Sequence, residues 1–282
     1  MSARNLVEGI VKLVSLPEVY IRLDGMIKDP CSNLSDIATL ISDDPGLSTR
    51  LLRIANSAMF NFPSKIDSIQ RAITVIGTKQ LRDLVLATSV IQVFKGIPQE
   101  QVDMESFWKH SIATGIAARA MATARRESNV EHYYVAGLLH DIGRLIMYME
   151  VPHKSHKALL VSEETSEQLH IVENDLFGFD HADVGGELMD SWDLPDALCE
   201  ATRYHHSPAS ARHYPHDAAI VHVADIIGNT MGYGSSGELL VPELDNKAWQ
   251  KLEIEAGKLP DILEQVEHQY HDIVDFFLEA MQ

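Results

Sequence analysis

The sequence predicts an all-α fold. Apolar residues recur at helical spacing in nearly every segment, as at Leu6, Ile10 and Leu13. No run of alternating β-branched residues is long enough to form a sheet. Prolines such as Pro17 and Pro30 follow the ends of helical patterns, where they stop the preceding helix. We therefore expect a series of helices separated by breaks in the helical pattern.

The charge distribution divides the chain into two parts. Residues 1–98 hold 11 Lys and Arg against 9 Asp and Glu, whereas residues 99–282 hold 12 against 32. Turn residues accompany this shift in the stretch 95–100. We predict a helical N-terminal lobe over residues 1–97, packed on a second helical lobe over residues 98–282 that ends in a long amphipathic helix.

The N-terminal lobe divides into six predicted helices. Ser35 is a candidate N-cap of the third, and Pro45 opens the fourth, since proline is tolerated in the first turn of a helix. These two helices also resemble a DNA-binding helix-turn-helix, but the region is only slightly basic, so ordinary packing is the better interpretation. The predicted helices cover residues 5–14, 19–27, 32–41, 45–60, 67–75 and 78–94.

The second lobe continues the helical pattern. Its first helix is rich in small residues, which let neighbouring helices approach closely. An amphipathic stretch covers residues 152–178, and residues 207–215 form a predicted loop. The predicted helices cover residues 105–126, 132–139, 181–192, 196–206, 216–234 and 259–280.

Composition narrows the classes of function. The net charge of −18 argues against broad binding to a phosphate backbone, so we expect no nucleic-acid partner. Cys31 and Cys199 are far apart and form neither a disulfide framework nor a zinc-ribbon spacing. Glu8 and Lys12 interrupt the N-terminal apolar pattern, unlike a signal peptide, and no apolar stretch reaches the roughly 18 residues of a membrane span. We expect a cytoplasmic protein without a membrane partner.

The stretch AGLLHDIGRL places His140 and Asp141 side by side at the end of an apolar helix. These groups are costly to bury unless they are paired or hold a metal ion. An imidazole nitrogen binds one ion, whereas a carboxylate has two oxygens and can bridge two ions. The pair suits the centre of a dinuclear site, although a His-Asp dipeptide alone is a weak signal.

Other histidines and an aspartate complete a candidate ligand set on separate helices. Each of them alone has an ordinary interpretation as a capping or packing residue. Together they supply nitrogen and oxygen donors without thiolate, which suits iron, manganese, nickel or zinc. The predicted ligands are His110, His140, Asp141 and Asp225 for one ion, and Asp141, His181, His205 and His206 for the other, with Asp141 as the bridge.

The remaining histidines have less direct interpretations. His222 precedes Asp225 by three residues on one helix, which makes it a minor candidate for a supporting contact to a ligand. Five others lie in polar or amphipathic stretches and are expected to face solvent. These five are His153, His156, His170, His268 and His271.

Several motifs resemble a known superfamily. AGLLHDIGRL, FGFDHADVGGELMDSWDLP and ATRYHHSP resemble the HD phosphohydrolase superfamily. SLPEV, DDPGLSTRLLRIANSAMF and SIQRAITVIGTKQLRDLVL resemble its HDOD branch. The resemblance covers most of residues 15–225. It implies that an HDOD-type helical lobe is joined to an HD-type lobe, and many HDOD proteins are regarded as signalling modules in bacteria.

The seven candidate ligands also resemble the metal positions of the HD-GYP cyclic-dinucleotide phosphodiesterases. Those enzymes carry HHExxDGxGYP after their histidine pair, whereas this chain has HHSPASARHYP, which argues against cyclic di-GMP as a substrate. Arg144 stands where such proteins commonly carry Lys and keeps a phosphate-binding charge. Ser106 stands where some three-metal relatives carry Glu, which favours two ions over three.

Two functions remain open at this point. The first is a metal-dependent phosphohydrolase acting on a nucleotide or phosphodiester, in which Asp141 bridges the ions and Arg144 holds the phosphate. Its cofactors are two divalent transition-metal ions, with iron or manganese favoured. The second is a non-catalytic signalling or scaffold module that acts through a protein partner, with a structural or vestigial metal site.

Overall fold

The protein is all-α, as predicted. The structure, a computed structural model, describes residues 2–11, 14–94 and 102–279. Helices account for all regular secondary structure in these ranges, and no strand occurs among them. Within the same ranges, no helix combines the length and apolar character that crossing a bilayer demands.

Most of the described helices are joined by short turns, whereas residues 56–68 and 232–245 form longer connections. Two 3-10 helices, Pro208–Ser210 and Ala256–Lys258, supplement the α-helices. In chain order the α-helices are α1 (Ala3–Ile10), α2 (Glu18–Lys28), α3 (Leu34–Ser42), α4 (Pro45–Ala55), α5 (Ile69–Ile76), α6 (Thr78–Val93), α7 (Met104–Ala124), α8 (Val130–Leu139), α9 (Ile142–Glu150), α10 (Pro152–Thr165), α11 (Leu169–Phe177), α12 (His181–Ser191), α13 (Asp196–Arg203), α14 (Pro215–Met231), α15 (Asn246–Leu252) and α16 (Leu259–Glu279).

The chain forms two compact units. One comprises Met1–Val14 and Gly96–Val266, and the other comprises Ser15–Lys95 and Glu267–Gln282. The predicted division after residue 97 falls outside the described residues. Both chain ends differ from the prediction, since α1 contacts α9 and α12 of the first unit and the end of α16 groups with the second. Charge and periodicity do not specify which unit a terminal helix joins, because that choice depends on tertiary packing.

Capping residues set the helix boundaries in the second unit. Asn33, rather than Ser35, caps α3, since its side chain accepts a hydrogen bond from the backbone N–H of Asp36. Asp44 caps α4 in the same way and places Pro45 in the first turn, as predicted. The helix α4 ends before Asn56, five residues short of the predicted end.

Close helix packing in the first unit depends on glycines. A Cβ atom at Gly137 of α8 would lie 2.8 Å from the Cα of Gly115 on α7. A Cβ atom at Gly143 of α9 would overlap the backbone oxygen of His181 at the start of α12. Only glycine permits such backbone approaches. These contacts bring the helices that carry the candidate ligands together.

Candidate metal centre

His140 and Asp141 lie at the junction of α8 and α9. His140 is the C-cap of α8, and Asp141 is the N-cap of α9. Both side chains are buried. Asp141 makes no capping hydrogen bond to α9, so its carboxylate faces the surrounding histidines instead.

Three side chains form what we call the enclosed half of the centre: His110 of α7, His140, and Asp225 of α14. The Nε2 atoms of His110 and His140 are 3.3 Å apart. Each lies close to Asp225 Oδ1, at 3.2 Å from His110 and 3.3 Å from His140. All three residues are at most 4% exposed. Three donor atoms therefore converge on one point inside the protein.

Three further histidines form the cavity half of the centre. His181 is the first residue of α12. His205 and His206 follow the end of α13, whereas the sequence predicted that they would be its last residues. The Nε2 atoms of His181 and His206 are 2.8 Å apart. His181 and His205 are fully buried, whereas His206 is partly exposed.

The carboxylate of Asp141 connects the two halves. Its Oδ2 lies 3.3 Å from His140 Nε2 and 3.7 Å from His110 Nε2. Its Oδ1 lies 3.0 Å from His181 Nε2 and 3.8 Å from His205 Nε2. One oxygen thus faces each half, which is the arrangement that a bridging carboxylate requires.

Supporting hydrogen bonds orient the histidine rings. Nδ1 of His140 donates to the carbonyl of Gly137, and Nδ1 of His205 donates to the carbonyl of Thr202, each at 2.7 Å. Nδ1 of His181 donates at 2.5 Å to a carboxylate oxygen of Glu173. With Nδ1 as the donor, each ring directs its Nε2 toward the centre.

Glu173 is a site residue that the sequence did not reveal. It lies on α11 and is almost fully buried. Its carboxylate also accepts the backbone N–H of His181 at 3.0 Å. The only available signal was its position eight residues before His181, and this spacing has no fixed meaning when a turn intervenes. Asn229 is a second such residue, since its side-chain nitrogen donates to Asp225 Oδ1 at 2.8 Å.

The buried charges compensate one another. Burial disfavours ionisation of Asp141, but Arg144, His140 and His181 outweigh it and hold the pKa of this carboxyl well below its usual range. For His140, burial is outweighed mainly by Asp141, and the pKa rises to about 10. Burial instead lowers the pKa of His205 well below its usual range. Protons on some histidines thus balance the carboxylates, a task that bound cations also perform.

Arg144 lies within the centre. Its Nε is 3.3 Å from Asp141 Oδ1, and its Nη2 is 3.3 Å from His181 Nε2. The guanidinium is almost fully buried, and Nη1 has no hydrogen-bond partner among the described residues. Asp141, Glu173 and Glu238 more than offset the effect of burial and raise the pKa of Arg144, so it remains charged.

The donor set fits metal ions. Within the described residues, two groups have ligand atoms that all lie within 4.8 Å of one another: Asp141, His181, His205 and His206, and His110, His140 and Asp225. His205 Nε2 and Asp141 Oδ1 are buried without a hydrogen-bond partner. Metal–ligand bonds of about 2.1 Å place neighbouring ligand atoms about 3.0–3.4 Å apart, as in the enclosed half. The site is therefore a candidate metal site.

The other histidines divide into three cases. His170 was expected to face solvent, and this was wrong: its ring stacks on His206 with centroids 4.1 Å apart and planes at 9°. His222 is buried, with Nδ1 donating to the carbonyl of His205 and Nε2 accepting the N–H of Asp245. It thereby supports a candidate ligand through the backbone. His153, His156, His268 and His271 are exposed, as expected.

Ser106 does not extend the ligand set. Its hydroxyl accepts the backbone N–H of Ser235 at 2.9 Å, and a Cβ atom at Gly234 would overlap its backbone oxygen. The segment that follows α14 therefore packs directly against this position, where some relatives carry Glu.

The fold and the centre together define a class: an all-helical protein with a buried histidine–aspartate centre of the HD type. The sequence profile of the HDOD domain matches residues 13–208, which is more than half of the chain. The chain therefore belongs to the HDOD domain family, and the resemblance inferred from its motifs is confirmed.

Known proteins agree with this assignment. An HDOD domain protein of unknown function from Geobacter sulfurreducens is 22% identical, with a TM-score of 0.74, covering 94% of this chain and 97% of that one. A protein from Shewanella amazonensis SB2B, named as a candidate phosphohydrolase, is 24% identical, also with a TM-score of 0.74, covering 96% and 97%. These similarities establish the fold.

A curated relative is an uncharacterized protein of Treponema pallidum (strain Nichols). It is 27% identical over 206 residues, which is 73% of this chain and 40% of that protein. The chain thus spans about two fifths of the length of this relative.

Proposed function

We propose that the chain is a metal-dependent phosphohydrolase that binds two divalent transition-metal ions and acts on a nucleotide or another phosphodiester. The observation that carries this proposal is the position of Asp141, whose two oxygens face two separate groups of donors. If His140 and Asp141 only stabilised the fold, a second group of donors next to Asp141 Oδ1 would not be needed.

Each half of the centre would hold one ion. His110, His140 and Asp225 would bind the first together with Asp141 Oδ2, and the cavity half would bind the second together with Oδ1. Iron or manganese is favoured, with nickel or zinc as alternatives, because all donors are nitrogen or oxygen. Two neighbouring divalent ions supply Lewis acidity and lower the pKa of bound water, so that hydroxide is available at neutral pH.

Arg144 would bind the phosphate. Its unpartnered Nη1 is a donor in a buried environment, where a charge-assisted hydrogen bond to a phosphate oxygen is strong. Asp141, together with Glu173 and Glu238, keeps it charged in the free protein. Nε of Arg144 lies 3.3 Å from Asp141 Oδ1, so the same carboxylate would lie beside both the ions and the phosphate-binding group. The name of the Shewanella amazonensis relative supports the same reaction class.

A second candidate function is that of a non-catalytic signalling module. Six of the seven candidate ligands are almost fully buried, and the residues after His206 depart from the HD-GYP pattern. In this alternative the ions stabilise the helices and a signalling protein binds elsewhere on the chain. We expect neither a nucleic acid nor a membrane as a partner, and a cytoplasmic location, under either function.

Metal content is the first test. The protein is purified without chelator or metal-affinity tag and measured by mass spectrometry beside Asp141→Ala and a matched control, His153→Ala, which removes an exposed histidine. We expect about two ions per chain in the wild type and the control, and their loss in Asp141→Ala. Absence of metal, even after incubation with iron or manganese under reducing conditions, would contradict the proposal.

Hydrolysis separates the two functions. The metal-loaded protein is assayed with bis(p-nitrophenyl) phosphate and a panel of nucleotide phosphodiesters. Turnover that disappears when His140 and Asp141 are both replaced by Ala supports the phosphohydrolase. Bound metal without turnover of any panel member, and a signalling readout that survives the double replacement, supports the signalling module.

A further inference from the structure

The metal centre meets solvent at His206. This residue is the one candidate ligand that is partly exposed, and it lies in the wall of a cavity of about 630 Å³. Such a volume suits a small organic ligand. A molecule whose phosphate reached the cavity half of the centre would place its remaining part in this cavity.

The cavity walls are fixed in place by buried polar contacts. One wall is the turn before α11 together with the start of that helix, and the other is the segment 240–245. Buried Glu238 joins them, since its carboxylate accepts the backbone N–H groups of Leu169, at 2.9 Å, and Leu240, at 3.2 Å. His222 fixes the far end through its bond to the N–H of Asp245. The cavity is therefore formed before any ligand binds.

Apolar side chains on both walls remain accessible. Ile171, Val241 and Leu244 line the cavity and are 39%, 50% and 43% exposed. An apolar ligand group would remove this surface from water, which is favourable. The planar ring of His170, stacked on His206, adds a flat surface to the same cavity.

The charged groups of the cavity are all acidic. Glu167, Glu243 and Asp245 line it, and no Lys or Arg among the described residues does. Asp245 caps α15, whereas the two glutamates are exposed. A second phosphate in the part of the cavity beyond the metal centre would lie beside these carboxylates and be repelled, whereas a neutral or cationic group would not be.

We propose that this cavity holds the part of a phosphate ester beyond the reacting phosphate, and that this part is apolar and uncharged or cationic rather than a second phosphate. The inference rests on the proposed function, because it assumes that the phosphate lies at the metal centre. It selects esters that carry a single phosphate and selects against polyphosphates and bisphosphates.

Binding of matched probes tests the inference without requiring turnover. The metal-loaded full chain is titrated calorimetrically with thymidine 5′-monophosphate, with thymidine 3′,5′-bisphosphate and with phosphorylcholine. We expect the first and third to bind more tightly than the bisphosphate by about tenfold. The double variant Glu167→Gln, Glu243→Gln should narrow this difference several-fold. The control Glu255→Gln, Glu264→Gln, which removes two exposed glutamates outside the cavity lining, should leave it unchanged.

Each result has a defined meaning. Binding of the bisphosphate as tightly as the monophosphate, a preference that the wall variant leaves intact, or no binding of any probe overturns the inference. Release of p-nitrophenol from thymidine 5′-(p-nitrophenyl phosphate) by the same preparation reads the proposed function separately. Turnover with no preference for single phosphates supports the proposed function and contradicts the inference about the cavity. A preference for single phosphates without turnover supports the inference about the cavity and contradicts the proposed hydrolysis.

Discussion

The two halves of the centre use the same donors in different surroundings. In the enclosed half, every candidate ligand is buried, and the two supporting hydrogen bonds come from neutral groups: a backbone carbonyl for His140 and an amide for Asp225. In the cavity half, His206 is partly exposed, and His181 lies between the charged groups of Glu173 and Arg144. Under the proposed function, the enclosed half would retain its ion, while the cavity half would also meet the substrate.

The largest expected effect comes from a change that breaks both halves at once. Gly143→Ala places a Cβ atom against the backbone of His181 and Gly185, so α9 and α12 must separate. We expect a loss of about 3 kcal/mol in stability and loss of both ions, since Asp141 moves away from His181. Thermal unfolding and metal content measure these two losses.

Gly25→Ala is the matched control, because a Cβ atom there has no neighbour within 4 Å. Alanine in the middle of α2 should leave stability unchanged or raise it by up to about 1 kcal/mol. Equal stability of Gly143→Ala and the wild type would show that the helices tolerate the separation.

Single ligand replacements should divide the centre. Asp225→Ala removes a donor of the enclosed half only, and His206→Ala one of the cavity half only. We expect each variant to keep about one ion per chain and to lose hydrolysis, because two ions act together. In the wild type, a chelator should remove the cavity-half ion first. Metal content is measured by mass spectrometry. Loss of both ions from either variant would mean that the two halves do not bind their ions independently.

Glu173→Gln sharpens the comparison, because it alters only the cavity half. The amide no longer offers a carboxylate to His181 Nδ1, so the ring becomes a weaker ligand. We expect the affinity for one of two ions to fall by about 10–100-fold, measured by competition with a coloured chelator. Glu163→Gln, which changes an exposed glutamate of α10, is the control. An equal fall for both ions would argue against the assignment of Glu173 to one half.

Tyr148→Phe should have the smallest effect. The hydroxyl of Tyr148 donates to the carbonyl of Ser236, in the segment that continues into the cavity wall. Its loss should cost about 1 kcal/mol in stability while metal content stays at the wild-type value. Thermal unfolding and mass spectrometry check the two expectations, and loss of metal would show that this segment also supports the ligands.

Helical periodicity and short motifs made much of this molecule predictable. The fold class follows from the spacing of apolar residues, and His140 and Asp141 follow from one dipeptide between two helices. The histidines at 181, 205 and 206 were recognisable as candidates because each lies beside a helix end, where a ring reaches beyond the helix.

Other features required the tertiary structure. Glu173 and His170 both lie on α11 within an amphipathic stretch, and their pattern is that of a surface helix. The packing of α11 alongside α12 turns one toward His181 and the other toward His206. No periodicity encodes which neighbour a helix face will meet. The placement of the chain ends in the two units depends on the same kind of contact.

The contact between Gly115 and Gly137 has a consequence for how this centre can change over generations of mutation. The distance between α7 and α8 is set by backbone meeting backbone, which no repacking of side chains can shorten or lengthen. A candidate ligand can therefore be exchanged for another donor while its neighbours keep their positions. Replacing either glycine alters the register itself while every donor is still present. Substitutions can thus change the donors while the packing of α7 on α8 stays the same.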